Sequence, residues 1–232
     1  MKQLYCNGNQ MKLSTETLNV LKNFSSINQN LEFKQGNKIS TISSGKSVLA
    51  QATLKDEFPQ SFCVYDLNQF LSVHSMFKGD VELDFDSANV TFKGGRSKTK
   101  YRMASRDTIV LPPEKEIKLG QIDYQFTLSE DDYVNIMKAA AVLSSPHITL
   151  SSDGDHVALL AGDAKDDSQH TNAIEIGEGN GKSFSLVFKT ENIKMIQGSY
   201  DVQISFKGFA HFKNTKEEIE YWIAIESKES TF

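Results

Sequence analysis

The chain states one pattern twice. A helix-like stretch over residues 14–24 is matched over 129–143, and the β-run Ser61-Phe62-Cys63-Val64-Tyr65 by Ser183-Phe184-Ser185-Leu186-Val187-Phe188. The alternating run Val81-Glu82-Leu83-Asp84-Phe85 is matched by Val202-Gln203-Ile204-Ser205-Phe206, and Tyr101-Arg102-Met103-Ala104-Ser105 by Tyr221-Trp222-Ile223-Ala224-Ile225. The order is the same in both halves, and the offsets lie between 115 and 122 residues. Repeats of roughly 20 to 50 residues build solenoids or propellers, whereas a period near half the chain builds two similar domains in tandem. Each copy reads helix, strands, helix, strands, with strands in the majority. That order predicts an α+β fold of two domains, each of about 110 residues and large enough to bury its own core.

Residues 1–10 are polar and aperiodic and read as an N-terminal extension. The first domain is expected over 11–108. Pro112-Pro113 followed by Glu114-Lys115-Glu116 marks an extended connector over 109–122, and the second domain runs over 123–232. Ser14 can cap the first helix, placing Leu13, Thr17, Val20, Leu21 and Phe24 on one side. Asp66 can cap a second over 67–77, with Leu67, Phe70, Leu71 and His74 inward. Ser129, followed by Glu130, Asp131 and Asp132, opens a third. Its apolar side is expected to be Tyr133, Ile136, Met137, Ala140 and Ala141, and Pro146 ends it. A further short helix is expected around 191–196.

Several motifs invite a catalytic reading and fail on spacing. Gly45-Lys46-Ser47 and Gly181-Lys182-Ser183 resemble the end of a phosphate loop, which needs a glycine five residues earlier and a helix afterwards. Those positions hold Ser40 and Ile176, and both tripeptides lead into β-like runs, so they read as turns. The five histidines are scattered, and Asp163, Asp166 and Asp167 lack the glycine and glutamate of a calcium loop. Cys6 and Cys63 offer neither a disulfide framework nor a metal pair. The sequence predicts no catalytic residues, no metal and no cofactor, hence not an enzyme. No apolar run approaches the ~18 residues that span a bilayer, so no membrane partner is expected.

Net charge is −5, which excludes a uniformly basic nucleic-acid binder but not a positive surface confined to one face. Lys22, Lys138 and Lys194 project from helix faces poor in acids, and Lys12, Lys78 and Lys189 flank those helices. These six form a candidate segregated positive surface, which the resemblance given below implies is DNA-facing. The densest basic run, Lys93, Arg96, Lys98, Lys100, Arg102 and Arg106, reads either as a charged edge strand or as a DNA contact.

Met11-Lys12-Leu13-Ser14, Leu21-Lys22-Asn23-Phe24 with Ile27-Asn28, and Tyr65-Asp66-Leu67-Asn68 with Phe70-Leu71 carry a family resemblance. It continues through Asn192, Lys194-Met195, Gly198, Tyr200, Tyr221, Ala224, Glu226 and Phe232. Over residues 11–232 the chain resembles the sliding clamps of T-even-type bacteriophages, the processivity factors of their replicative polymerases. The resemblance implies a DNA-clamp fold in which three two-domain subunits close into a ring, helices inside and antiparallel sheets outside. It further implies encirclement of double-stranded DNA without sequence preference, partnership with the replicative DNA polymerase, an ATP-dependent clamp loader and late-transcription factors, and work in the host cell cytoplasm. Val110, Leu111, Ile117 and Phe232 would border its pocket for partner peptides, so removing Thr231-Phe232 is expected to lower polymerase stimulation. Residues 1–10 and the basic run depart from the family pattern. The competing reading is a duplicated β-rich viral interaction module that does not encircle DNA.

Overall fold

A computed structural model describes residues 9–115 and 119–232. The chain divides into two compact units, Met1–Glu114 and Lys115–Phe232, a division that falls inside the proline-marked connector.

The first unit contains β1 (Gln10–Met11), α1 (Thr15–Ile27), β2 (Leu31–Phe33), β3 (Gly36–Ile42), β4 (Val48–Phe58), β5 (Phe62–Val64), α2 (Leu67–Ser75), β6 (Glu82–Phe85), β7 (Asn89–Gly94) and β8 (Ser97–Arg102). The second contains β9 (Tyr124–Leu128), α3 (Glu130–Leu143), β10 (His147–Asp153), β11 (His156–Gly162), β12 (Asn172–Glu178), β13 (Ser183–Lys189), β14 (Tyr200–Ser205), β15 (Phe209–Asn214) and β16 (Ile219–Ala224). Strands run β1-β6-β7-β8 and β5-β2-β3-β4 in the first unit, and β9-β14-β15-β16 and β13-β10-β11-β12 in the second. The two plans correspond strand for strand, and the pairings are antiparallel throughout.

Alternation fixes which side of each sheet is dry. Leu83, Phe85, Val90 and Phe92 are buried, while Glu82, Asp84, Thr91 and Lys93 between them face outward. In the first unit Phe33 lies at the centre of an aromatic cluster, 4.4 Å from Phe62, 4.6 Å from Phe58 and 5.9 Å from Phe70 by ring centroid. In the second, Tyr200 stands 6.0 Å from Tyr133 and 6.1 Å from Tyr221. The helices are held at their starts as the sequence predicts. Ser14 accepts a hydrogen bond from the Thr17 N–H at 3.2 Å, Asp66 from Gln69 at 2.9 Å, and Ser129 from Asp132 at 3.1 Å. Asp56 secures the first cap by accepting from both the backbone and the hydroxyl of Ser14.

Three expectations are corrected. No α-helix forms over 191–196; a single 3-10 turn, Thr190–Asn192, stands in its place. Tyrosine hydroxyls take the backbone groups a helix would have paired: Tyr133 donates to the Met195 carbonyl at 2.8 Å, Tyr200 donates to that of Ile196, and the Ile196 N–H donates to Tyr221. Gly198 closes this segment against Asn214, whose amide a Cβ would meet at 2.6 Å. Ala141 is exposed, not apolar-side, because the buried stripe of α3 is the narrower set Tyr133, Ile136 and Ala140. The extension also ends earlier than residue 10. Gln10 pairs with Asp84, and Asn9 both accepts from the Phe85 N–H and donates to its carbonyl, so β1 belongs to the first sheet.

Candidate nucleic-acid interface

α1 buries Thr17, Val20, Leu21, Phe24 and Ile27, and α3 its narrower stripe, against their sheets. What each leaves to solvent is nearly devoid of acid beyond the first turn. On α1 the exposed set is Thr15, Glu16, Asn19, Lys22 and Ser26; on α3 it is Asp131, Asn135, Lys138, Ala141 and Val142. Glu16 is neutralised by Lys55 at 2.7 Å, a hydrogen bond that also holds its carboxyl below the ordinary range. Carboxylates thus collect at the positive helix starts, where the dipole favours them. One lysine stands on each face behind them. Lys22 and Lys138 have no ion-pair partner among the described residues, and they occupy matching places on the two equivalent helices. Lys22 also reaches the neighbourhood of His74, whose half-buried ring is pushed below its ordinary pKa by burial first and by the lysine charge second.

The other expected DNA-facing residues are not equivalent to these two. Lys78 is exposed in the turn after α2, and Lys194 is exposed beside the 3-10 turn, not on a helix face. Lys12 is tied to Asp80 at 2.6 Å, and Lys189 lies 3.6 Å from Glu226, so both carry compensating charge. The basic run divides in the same way. Lys93 pairs with Asp84 at 2.7 Å, and Arg106 with Glu32 at 2.6 Å and Glu114 at 3.6 Å. Lys98, Lys100 and Arg102 alternate with Thr99 and Tyr101 along β8. Tyr101 turns inward to pack edge-on against Phe70, which puts the three cations on the sheet face opposite α2.

Sequence reasoning did not single out an acidic edge strand to set against β8. Both β8 and β12 are sheet edges, with no further strand beyond them among the described residues. β12 carries Glu175 and Glu178, where β8 carries Lys98, Lys100 and Arg102. Above β12, a groove lined by Lys138, Ala139, Val142, Leu143, Thr171 and Ile174 leaves Val142 75% exposed. A single strand's composition hides this complementarity, which emerges only when both strands prove to be edges.

Val110 is exposed and its N–H lies 3.4 Å from the Asn30 side-chain oxygen, while Leu111 beside it is half-buried. Ile117 lies outside the described residues. Phe232 is exposed yet stacks on Phe206, with centroids 5.2 Å apart and planes 17° from parallel. No group of three metal-binding side chains occurs among the described residues, and no described helix is long and apolar enough to cross a membrane.

Two units of identical strand order, each with a helix whose solvent face carries no exposed acid beyond its first turn, match the DNA-clamp fold. A solved structure of the C-terminal region of FEN-1 bound to A. fulgidus PCNA superposes with a TM-score of 0.70 at 13% identity, over 94% of this chain and 98% of that one. The H. pylori beta clamp gives 0.69 at 11% identity, over 97% of this chain and 68% of that one. Residues 13–111 match the family described as DNA polymerase processivity factor, and 125–227 the family described as gp45 sliding clamp, C terminal. The sliding clamp of Vibrio phage KVP40 is 33% identical over 94% of this chain and all of its own length, and that of Enterobacteria phage T4 is 26% identical over 94% and 97%. The chain belongs to the phage sliding clamp family, DNA sliding clamps that serve as polymerase processivity factors.

Proposed function

We propose that three copies of this chain close head to tail around duplex DNA and tether the replicative polymerase by topology, without catalysing a reaction. The observation that carries this reading is the matched placement of Lys22 and Lys138 on equivalent, acid-poor helix faces in a chain of net charge −5. A few weakly held cations attract phosphates without reading sequence, and such contacts exchange easily enough to permit sliding. The acidic remainder disfavours DNA elsewhere on the surface. The basic edge β8 and the acidic edge β12 supply complementary ends for a closed cyclic assembly, in which one copy's β8 extends the sheet of the next copy's β12.

An ATP-dependent loader would be needed to open such a ring, and Val110, Leu111 and Phe232 mark where apolar partner peptides would dock. Late-transcription factors are further candidates for that contact, in the host cytoplasm. The test is retention on DNA. Loaded onto nicked circular duplex, the clamp is expected to remain through a high-salt wash, because salt weakens phosphate contacts but not a topological link. On the same DNA after linearisation it is expected to slide off. Equal loss from circular and linear DNA would replace encirclement with the interaction-module reading.

A further inference from the structure

After β16 the chain does not leave the second unit but folds back along β13. The Glu226 N–H donates to the Val187 carbonyl, and the Val187 N–H donates to the Ser230 hydroxyl at 2.9 Å, which in turn donates to the Glu226 carbonyl at 2.8 Å. Thr231 and Ser185 then exchange both backbone hydrogen bonds at 2.8 Å, an antiparallel bridge onto the free edge of β13. That bridge delivers the Phe232 ring onto Phe206. Beneath Phe206 lies Phe184 at 5.7 Å, and beyond it Tyr124 at 5.0 Å from Phe184, both buried. The β9–β14 pairing, which ends at Tyr124–Ile204, is extended toward Phe206 by one further residue. Asp123 fixes that extension by donating to Ile204 and accepting from the Phe206 N–H at 2.8 Å.

These contacts describe an occupied peptide site more than a chain end. A strand edge supplies backbone pairing, and an aromatic shelf receives a ring. Such an edge with an adjacent side-chain pocket is how an extended peptide is recognised by strand addition. The occupant is lightly held: Phe232 keeps 60% of its surface exposed, and the segment is anchored by the Thr231–Ser185 bridge, the Val187–Ser230 hydrogen bond and one ring stack. Segments so held open at low free-energy cost.

We infer that Ser230-Thr231-Phe232 is an internal ligand that covers a peptide-docking shelf formed by the Ser185 edge, Phe206 and the Phe184 ring beneath it, and that a partner docks by displacing it. The partner chemistry follows from the occupant: an extended segment ending in a large aromatic residue, without need of charge. This deepens the reading of Phe232 as part of a partner site and rests on it, but it changes the residue's role from lining to occupant. It also reverses the sign expected from sequence, since weakening the strap should favour the partner, not disfavour it.

The test separates the strap from the partner. A fluorescent heptapeptide with the sequence of residues 226–232 is titrated against the full chain and against Phe232→Ala, with binding read by anisotropy in the absence of DNA. If the strap competes, Phe232→Ala binds the probe about tenfold more tightly, the reciprocal of the fraction of sites left open. Adding Phe206→Ala to Phe232→Ala abolishes that binding. Equal affinity for both chains, or binding by neither at millimolar probe, overturns the internal-ligand inference. In parallel, polymerase stimulation is measured at limiting polymerase. A rise with Phe232→Ala supports displacement by the partner, and an unchanged or lowered value overturns it whatever the probe shows. The peptide arm involves no DNA, so its outcome stands apart from that of the circular-DNA experiment.

Discussion

Lys22 and Lys138 differ from the chain's other lysines in what surrounds them. Each stands on a helix face whose carboxylates are confined to the first turn, whereas Lys12, Lys93 and Lys189 each face a carboxylate within 4 Å. Replacing Lys22 or Lys138 with Glu is expected to reduce clamp loading and processivity while changing unfolding free energy by no more than about 0.5 kcal/mol, as exposed charge changes do. Lys165→Glu, in the acidic loop where Lys165 pairs with Glu229 at 3.1 Å, serves as the control and is expected to leave both readouts intact. Equal loss at all three positions would remove the helix faces from the DNA interface. A second residue-scale expectation concerns pH. Burial pushes the Tyr200 hydroxyl up to about 12, and raises Tyr133 and Tyr221 as well. A tyrosine raised in the folded state adds stability that is complete below its unfolded value near 10 and disappears as pH rises through the folded value. For Tyr200 the difference corresponds to about 3 kcal/mol. Urea midpoints are therefore expected to fall between pH 10 and 12, less steeply in Tyr200→Phe; a flat profile over that window would contradict the buried network.

At the scale of elements, the two copies diverge where the second helix of the repeat would fall. Asp66 caps α2 in the first unit, whereas the equivalent stretch of the second is held by three tyrosine hydroxyls and stays unwound after one turn. Of those hydroxyls Tyr200 is four positions from Ile196, but Tyr221 is 25 positions from Ile196 and Tyr133 is 62 from Met195, so the set is not visible in the local sequence. The caps, by contrast, are local and legible. Ser14→Ala and Ser129→Ala are each expected to cost about 1 kcal/mol, measured as a shift of the denaturation midpoint at constant slope. Each hydroxyl also donates to a carboxylate, Ser14 to Asp56 at 2.8 Å and Ser129 to Asp132 at 2.6 Å, so the two losses are expected to be similar. The repeat also places the two candidate partner segments alike. Ala104 bridges Cys63 shortly before Val110, and Thr231 bridges Ser185 just before Phe232, with Cys63 and Ser185 at equivalent points of β5 and β13.

For the whole molecule, the proposed ring would turn on the two charged edges. An edge strand bearing lysines ordinarily resists pairing with its own kind, while an edge of opposite sign offers it a partner. Lys98→Glu with Lys100→Glu is expected to weaken self-association in sedimentation, and Glu175→Lys with Glu178→Lys to do the same. Mixing the two variants is expected to restore hetero-association, because the native β12 of the first then faces the native β8 of the second and the two reversed edges face each other; a chain carrying all four changes regains complementarity with itself. Unchanged sedimentation in every variant would move the assembly contact away from β8 and β12.

The sequence by itself determined the duplication, the strand-rich α+β class, the three helix caps and most of the inward residues of the helices. Each of these is written in near neighbours: a hydroxyl or carboxylate before a helix, an alternation of period two, a glycine turn. Tertiary structure decided the rest because it brings distant residues together. It attached Asn9 and Gln10 to β6, unwound residues 191–196, and matched Lys12, Lys93 and Arg106 with carboxylates. It also left β8 and β12 as edges and laid Phe232 on Phe206. Charge counts and periodicity record what a side chain is, whereas availability for DNA or a partner depends on which groups the fold sets against it.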